Sequence, residues 1–317
     1  MMSDSSASRL DFLRGLALSR AELERDHRSR ALGIDALLTA PEARAIVLHQ
    51  GRALLTEQGG LALVPPESVR EHVLAVFLGR NPVEASDVAA GAPIVALIVD
   101  DEIADEVAGP WGDLRSLGWR LQDRDAGLFT QAVALANWHE SSAFSPRTGA
   151  PTVAGQSGWV RIDPDTGGEH FPRTDPAVIV AVTDADDRLL LGSNALWETQ
   201  RFSLLAGFVE PGESLEAAVV REVFEESGLV VTDPVYLGSQ PWPFPASLML
   251  GFRAVVADGT PTEGTPDGEE IIELRWFTRE QLAASLDEVL LPGRSSIARA
   301  MIEDWYGGRL GDEDDRS

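Results

Sequence analysis

Between residues 45 and 99 short apolar runs alternate with glycine, proline and acidic turns: AIVLH (45–49), LALV (61–64), HVLAVFLG (72–79) and PIVALIV (93–99). Runs of that length bounded by turn residues predict strands. The period then lengthens. DAGLFTQAVALANWHE, 125–140, sets Leu128, Ala132, Leu135 and Ala136 on one side and predicts a helix capped by Asp125. Residues 1 to about 40, with scattered charge and Ala/Leu periodicity, read as a mobile start followed by helical turns. The first half is thus expected to be a small α+β domain, with nothing in it that announces chemistry; a dimerisation unit or a lid would suit it equally. Residues 141–172 lose both periods and read as loop. Beyond Pro172-Arg173, AVIVAVTDADDRLLLG (177–192) predicts a hairpin with an Asp-rich turn. VVTDPVYLGSQ, SLMLGFRAVVA and EEIIELRWFT follow as strands, the last ending in an exposed turn, and SSIARAMIEDWY (295–306) as a closing helix. The overall class is α+β, with a mixed sheet sandwiched by helices in the second half. The expected divisions are 1–138, 139–172, 173–306 and a solvated acidic tail, 307–317.

One stretch stands outside this patterning. Gly207 to Leu229 reads GFVEPGESLEAAVVREVFEESGL. Pro211-Gly212 punctuates a loop, Ser214 is an N-cap with Glu216 in the first turn, and Gly228 stands where a helix end wants a left-handed residue. The prediction is loop, short helix, loop. On that helix Glu222, Glu225 and Glu226 fall at i, i+3 and i+4, so their carboxylates share a face beside the apolar stripe Leu215, Val219, Val223. Three acids so close repel, and a hard divalent cation relieves them by taking oxygen ligands from several. Arg221 and Glu225, at i and i+4, are placed to pair. A merely solvated acidic face would need no glycine, glutamate and Arg-Glu pair at fixed offsets upstream.

Ten residues further on, SQPWPFPASLM alternates Pro241, Pro243 and Pro245 with Trp242, Phe244 and Ala246. Three missing N–H donors bar the stretch from the interior of a sheet. Fixed φ angles hold its aromatic faces rigid, as stacking on a flat heterocycle requires.

The 317 residues carry a net charge of −25, which repels nucleic acid except at a local basic patch; Arg14, Arg20, Arg25, Arg28 and Arg30 are the candidates. There is no cysteine, which removes disulfides, thiolate metal sites and a cysteine nucleophile. No G-x-G-x-x-G loop follows a strand, so a dehydrogenase is not expected. The start of the chain lacks a basic segment leading into a long apolar run, and no stretch is long enough to span a bilayer, so a cytoplasmic location is expected.

The pattern G-x5-E-x7-R-E-U-x-E-E-x-G-U (U aliphatic) is matched at every fixed position from Gly207 to Leu229 and resembles the Nudix box. SQPWPFPxSLM after it resembles the NADH pyrophosphatase branch of that superfamily, over roughly residues 136–305. The resemblance implies a Nudix fold preceded by a smaller α+β domain and hydrolysis of the diphosphate of NADH or NAD⁺ to NMN(H) and AMP. It also implies Mg²⁺ or Mn²⁺ as cofactor, a homodimer, no membrane partner, and RNA only as an NAD-capped substrate. By the same resemblance Glu222, Glu226 and the Ala206 carbonyl would hold metal, with Glu225 a further ligand or the base. Glu270 would be the downstream metal-binding glutamate, with Glu269 competing for that register. Either Glu225 or Glu226 would accept the attacking water's proton. Gln240, Pro241, Trp242, Pro243, Phe244, Pro245, Ala246 and Ser247 would line the nucleotide pocket, Ser247 reaching across the dimer. Phe171 and Phe208 would stack on a base, and Ala298 would touch the substrate through its backbone. The alternatives are cleavage of another diphosphate, such as ADP-ribose or a diadenosine compound, or nucleotide sensing without turnover.

Many relatives carry a four-cysteine zinc ribbon between the two halves. Here Ser145, Thr148, Asp163 and Thr166 stand at those positions, and the spacing survives without thiolates. Hydroxyls are poor zinc ligands, so no zinc is expected, and His139 and His170 beside the relic read as ordinary polar residues. The linker is expected to rest on apolar contacts from Phe144, Trp159 and Ile162.

Overall fold

The computed structural model describes residues 4–311. Most of the acidic tail and the first three residues therefore lie outside the described residues. The chain folds into two compact units. One holds residues up to Ser19, then 175–241 and from Ser247 onward. The other holds 20–174 and 242–246. The start of the chain, expected to join the N-terminal domain, thus belongs with the C-terminal unit. The reason is apolar: Phe12 and Leu16 enter that unit's core beside Ile179, Phe202 and Met301.

The C-terminal unit opens with α1 (Asp4–Gly15). The N-terminal unit follows with α2 (Ile34–Leu38), β1 (Arg44–His49), β2 (Arg52–Leu54), β3 (Leu74–Arg80), β4 (Pro93–Ile98), α3 (Asp101–Glu106), β5 (Trp111–Asp113), α4 (Leu114–Leu117) and α5 (Asp123–Ser141). Its five-stranded sheet runs β3-β4-β1-β2-β5, with β1 and β4 parallel. Ile46, Val47, Val76, Phe77, Ile94 and Val95 are fully out of solvent, which accounts for the unbroken apolar runs of these strands. The run 61–64 is not a strand; Leu61 and Val64 make only isolated bridges, to Leu55 and Ala45. Helix α5 starts two residues earlier than expected, and Asp125 is buried inside it with its carboxylate on Arg124 Nε at 2.8 Å, so it is not the cap. The loop-rich linker contains a small sheet, β6 (Val153–Gly155), β7 (Val160–Ile162) and β8 (Glu169–His170).

The C-terminal unit continues with β9 (Asp175–Thr183), β10 (Leu189–Asn194), β11 (Leu205–Phe208), α6 (Leu215–Ser227), β12 (Val231–Trp242), β13 (Ser247–Val256), β14 (Ile271–Phe277), α7 (Arg279–Ala284) and α8 (Ile297–Tyr306). The sheet order is β12-β13-β9-β10-β14 with β11 on β9, and β13 runs parallel to β9. The proline-bearing strand β12 lies at the edge, where its missing donors cost no ladder. One face packs on α6 through Val178, Val180, Val219 and Val223; the other packs on α8 through Ile179, Ala298 and Met301. Helix α7, read from the sequence as a turn, is held by a capping box between Thr278 and Gln281. Among the described residues no helix is long and apolar enough to cross a membrane.

Candidate functional site

The segment Gly207–Leu229 folds as its caps dictate. Ser214 Oγ accepts from the Ala217 N–H at 3.2 Å, and Gly228 ends α6 at φ 68°. Val219 and Val223 are fully buried against the sheet. The three glutamates beside them form a gradient: Glu226 is 5% exposed, Glu222 half-buried and Glu225 exposed.

Arg221 ties loop to helix. Its Nη2 donates to Glu213 Oε1 at 2.5 Å and to the Phe208 carbonyl at 2.9 Å, while Nη1 reaches Glu222 Oε1 at 2.9 Å and Glu225 Oε2 at 2.8 Å. The expected Arg221–Glu225 pair is therefore one arm of a larger clamp, with Glu213 as its strongest partner. The Glu213 hydrogen bond raises the Arg221 pKa further, and the guanidinium holds Glu213 below the usual carboxylate range. Gly207 is fixed by the same crowding. A Cβ there would fall 2.1 Å from the Glu222 carboxylate, so any side chain at 207 would push that carboxylate from its place.

Glu226 has no such relief. Burial pushes its pKa up to about 8, the nearby charges of Glu270 and Glu222 add to the rise, and a hydrogen bond from the Ala206 backbone offsets it in part. Its Oε2 is buried without a hydrogen-bond partner. Burial also raises Glu222, against the pull of Arg221. Glu270 is aimed from the other side. Asp267 Oδ1 accepts from the N–H groups of Glu269, Glu270 and Ile271, at 3.1, 3.1 and 2.8 Å, and Asn194 Nδ2 donates to Glu270 Oε1 at 3.2 Å. Of the two adjacent glutamates it is Glu270 whose charge bears on Glu222 and Glu226.

Among the described residues no three acidic or histidine side chains stand in ligating geometry, with Arg221 drawing Glu222 and Glu225 to itself. The donor set still fits a hard divalent cation: an unpartnered buried carboxylate oxygen on Glu226 lies within the fields of two further carboxylates, all oxygen ligands. Asn194 and Asp267 escaped the sequence reading, as did the bond that ties Glu213, a fixed position of the pattern, to Arg221. Asp267-Gly268 was legible as a turn, but its aim at Glu270 was not.

The other expected site residues divide between the units. In the C-terminal unit Phe208 is 58% exposed, and Ser247, at the start of β13, is half-buried. Gln240 is fully buried; its Oε1 accepts from the Leu18 N–H at 3.1 Å and its Nε2 donates to the Ser295 carbonyl at 2.9 Å. Ala298 is 2% exposed in the core under α8. These two side chains hold the unit together and present no polar atom outward. In the N-terminal unit Phe171 is 62% exposed. Trp242 and Phe244 there meet edge to face, with centroids 4.9 Å apart and planes at 72°.

The four positions aligned with the zinc ribbon are knit by oxygen. Asp163 is 1% exposed; Thr148 Oγ1 donates to its Oδ2 at 2.6 Å, and the N–H groups of Asp165 and Thr166 donate to Oδ1 at 3.0 and 3.3 Å. The Thr148 and Ser145 hydroxyls and these amides bring its pKa down to about 2. Of the apolar support expected of the linker, Phe144 gives none, being 63% exposed, Ile162 is half-buried with its side chain against Gly155, and Trp159 is held by its Nε1–H donating to the Phe77 carbonyl at 2.7 Å, with Arg30 over its ring. His139 is buried, with Nε2 2.8 Å from the Gly158 carbonyl and Nδ1 2.9 Å from Arg161 Nη1. That arrangement makes Nε2–H the donor and Nδ1 the acceptor of a neutral ring, and burial lowers its pKa accordingly.

Family models match both halves: a NUDIX domain over residues 173–300, and an NADH pyrophosphatase-like rudimentary NUDIX domain over residues 42–138. The chain is similar to the NAD-capped RNA hydrolase NudC of Mycobacterium bovis (strain BCG / Pasteur 1173P2), 46% identical over 283 residues that cover 85% of each chain. It is also similar to the NAD-capped RNA hydrolase NudC of Stutzerimonas stutzeri, 40% identical over 224 residues, 70% of this chain and 76% of that one. NAD-capped RNA hydrolase NUDT12 of Macaca fascicularis is 39% identical over 200 residues, 59% of this chain and 43% of its own.

Proposed function

Since this chain belongs to the NADH pyrophosphatase (NudC) family of Nudix hydrolases, we propose that it hydrolyses the diphosphate of NADH or NAD⁺ to NMN(H) and AMP and removes NAD caps from RNA. The observation that carries the reading is Glu226: a nearly buried carboxylate, one oxygen without a partner, beside Glu222 and Glu270 on a helix built to hold them. A protein does not keep such a group for stability, because burying an uncompensated carboxylate costs free energy.

Glu222, Glu226 and Glu270, with the Ala206 carbonyl and Glu225, would hold Mg²⁺ or Mn²⁺. When bound, such an ion neutralises diphosphate oxygens and lowers the pKa of a bound water. Glu225 or Glu226 accepts the proton of the attacking water, a contribution of about 10²–10⁴-fold. Arg221 keeps the loop carbonyl of Phe208 and the helix in register, so the carboxylates meet the diphosphate preorganised. Phe208 in the C-terminal unit and, in the N-terminal unit, Phe171, Trp242 and Phe244 each offer an aromatic face of the kind a base stacks on. Gln240 serves by holding β12 rather than by touching substrate, while Ala298, its side chain in the core, meets the substrate through its backbone alone. The same reading takes the protein to be a cytoplasmic homodimer, which light scattering tests. Arg20 pairs with Asp123 at 3.0 Å and Arg30 lies over Trp159. Two members of the candidate basic patch are thus already committed, so RNA is taken through its cap.

Chromatography of products from NADH, NAD⁺ and ADP-ribose, each with and without Mg²⁺ or Mn²⁺, tests the proposal. Metal-dependent release of NMNH and AMP, faster than ADP-ribose cleavage, is expected. Faster cleavage of ADP-ribose would replace the substrate, and binding without cleavage in either metal would replace the enzyme with a sensor.

A further inference from the structure

The segment Trp242–Ala246 leaves β12 and belongs to the N-terminal unit, where two residues outside every motif hold it. Arg115, on α4, sets its guanidinium carbon 4.0 Å from the Phe244 ring centroid and 5.3 Å from that of Trp242. Asn137, on α5, donates from Nδ2 to the carbonyls of Pro243 and Pro245 at 2.9 and 3.2 Å. The chemistry is complementary. Prolines at 241, 243 and 245 take away backbone donors but leave every carbonyl seeking one, and a primary amide with two N–H groups meets two of them. The cation meanwhile covers one side of the aromatic pair, and a ring whose face is capped by a guanidinium cannot turn without losing that contact. Phe244 N–H bonds back to the Trp242 carbonyl at 2.7 Å, which closes the segment on itself.

We propose that Arg115 and Asn137 are positioning residues that preorganise Trp242 and Phe244 as a stacking surface for a base of the dinucleotide. The proposal rests on the reading of the chain as an NAD(H) diphosphatase. Neither residue handles the reacting atoms, so their loss acts on binding. Arg115 is exposed at the surface, so its replacement leaves the cores intact.

The test is steady-state kinetics of Arg115→Gln, Arg115→Lys and Asn137→Leu with NADH, alongside fluorescence titration of NADH without metal. Arg115→Gln is expected to raise KM and the metal-free Kd about fivefold, the scale of a partly exposed cation–π contact, with kcat within about twofold and an unchanged melting temperature. Arg115→Lys should recover most of the loss, and Asn137→Leu should raise KM in the same way. Unchanged KM and Kd in both Arg115→Gln and Asn137→Leu, or a fall in kcat alone, would overturn the proposal. If the unaltered protein cleaves no NADH, the functional reading fails on that control. The titration then still decides, because metal-free Kd unchanged by the substitutions rejects the positioning role.

Discussion

Glu226 on α6 and Asp163 in the linker are withdrawn from water to a similar degree, 5% and 1% exposed. Burial and two neighbouring carboxylates drive Glu226 up to about 8, with one oxygen unpaired. Two hydroxyls and two amides bring Asp163 down to about 2. Depth of burial therefore does not decide what a carboxylate is for; the donors around it do. Where every lone pair is met, the group braces two loops. Where an oxygen is left unmet beside other carboxylates, burial works against the fold, and that is the mark of a group kept for something other than stability.

The largest effect that tests this contrast is on turnover. Glu226→Gln removes the uncompensated carboxylate and should lower kcat on NADH by at least about 10²-fold. Melting temperature should stay unchanged or rise, read by calorimetry in the absence of metal. Next comes Gly207→Ala, whose Cβ would displace the Glu222 carboxylate. A shift of that kind at a proposed metal ligand should cost about 10²-fold in kcat or less, with the far-ultraviolet dichroism preserved.

Much of the glutamate site was legible because its determinants are local. Ser214, Gly228, Arg221 and the i, i+3, i+4 glutamates all act within 23 residues of chain, and helical spacing alone puts them together. Gln240 and Ala298 were not, because their burial depends on Leu18, Ser295 and the underside of α8, partners far away in sequence. The linker shows the same limit from the other direction. Four lost thiolates could be read, but not that Asp163 would gather donors from a loop fifteen residues upstream. Strands β2 and β5 are three residues each, too short to leave a period.

Smaller effects sharpen the other side of the comparison. Asp163→Ala should lower the melting temperature by several degrees while NADH turnover, measured well below that temperature, stays within about threefold, because the brace is structural. The pH dependence follows from its depressed pKa. An aspartate that ionises near 3.8 in the unfolded chain and near 2 in the folded one contributes stability that is fully present above 3.8 and lost as pH falls toward 2. Acid unfolding of Asp163→Ala should accordingly be shallower over that window than that of the unaltered chain. The smallest effect is expected from chelators. Since oxygens meet the linker's donors, prolonged treatment with a zinc chelator should leave the melting temperature where it was.

The measurement that bears most directly on the contrast is the Mn²⁺ dependence of the melting temperature, taken without substrate on the unaltered chain and on Glu226→Gln. A cation that binds only the folded state raises stability by about 2.7 kcal/mol at a concentration 100 times its Kd. The unaltered chain should therefore melt progressively higher as Mn²⁺ is added, and Glu226→Gln should lose most of that rise. Equal rises in both proteins would contradict the account, since the unpaired carboxylate would then not be what the metal needs.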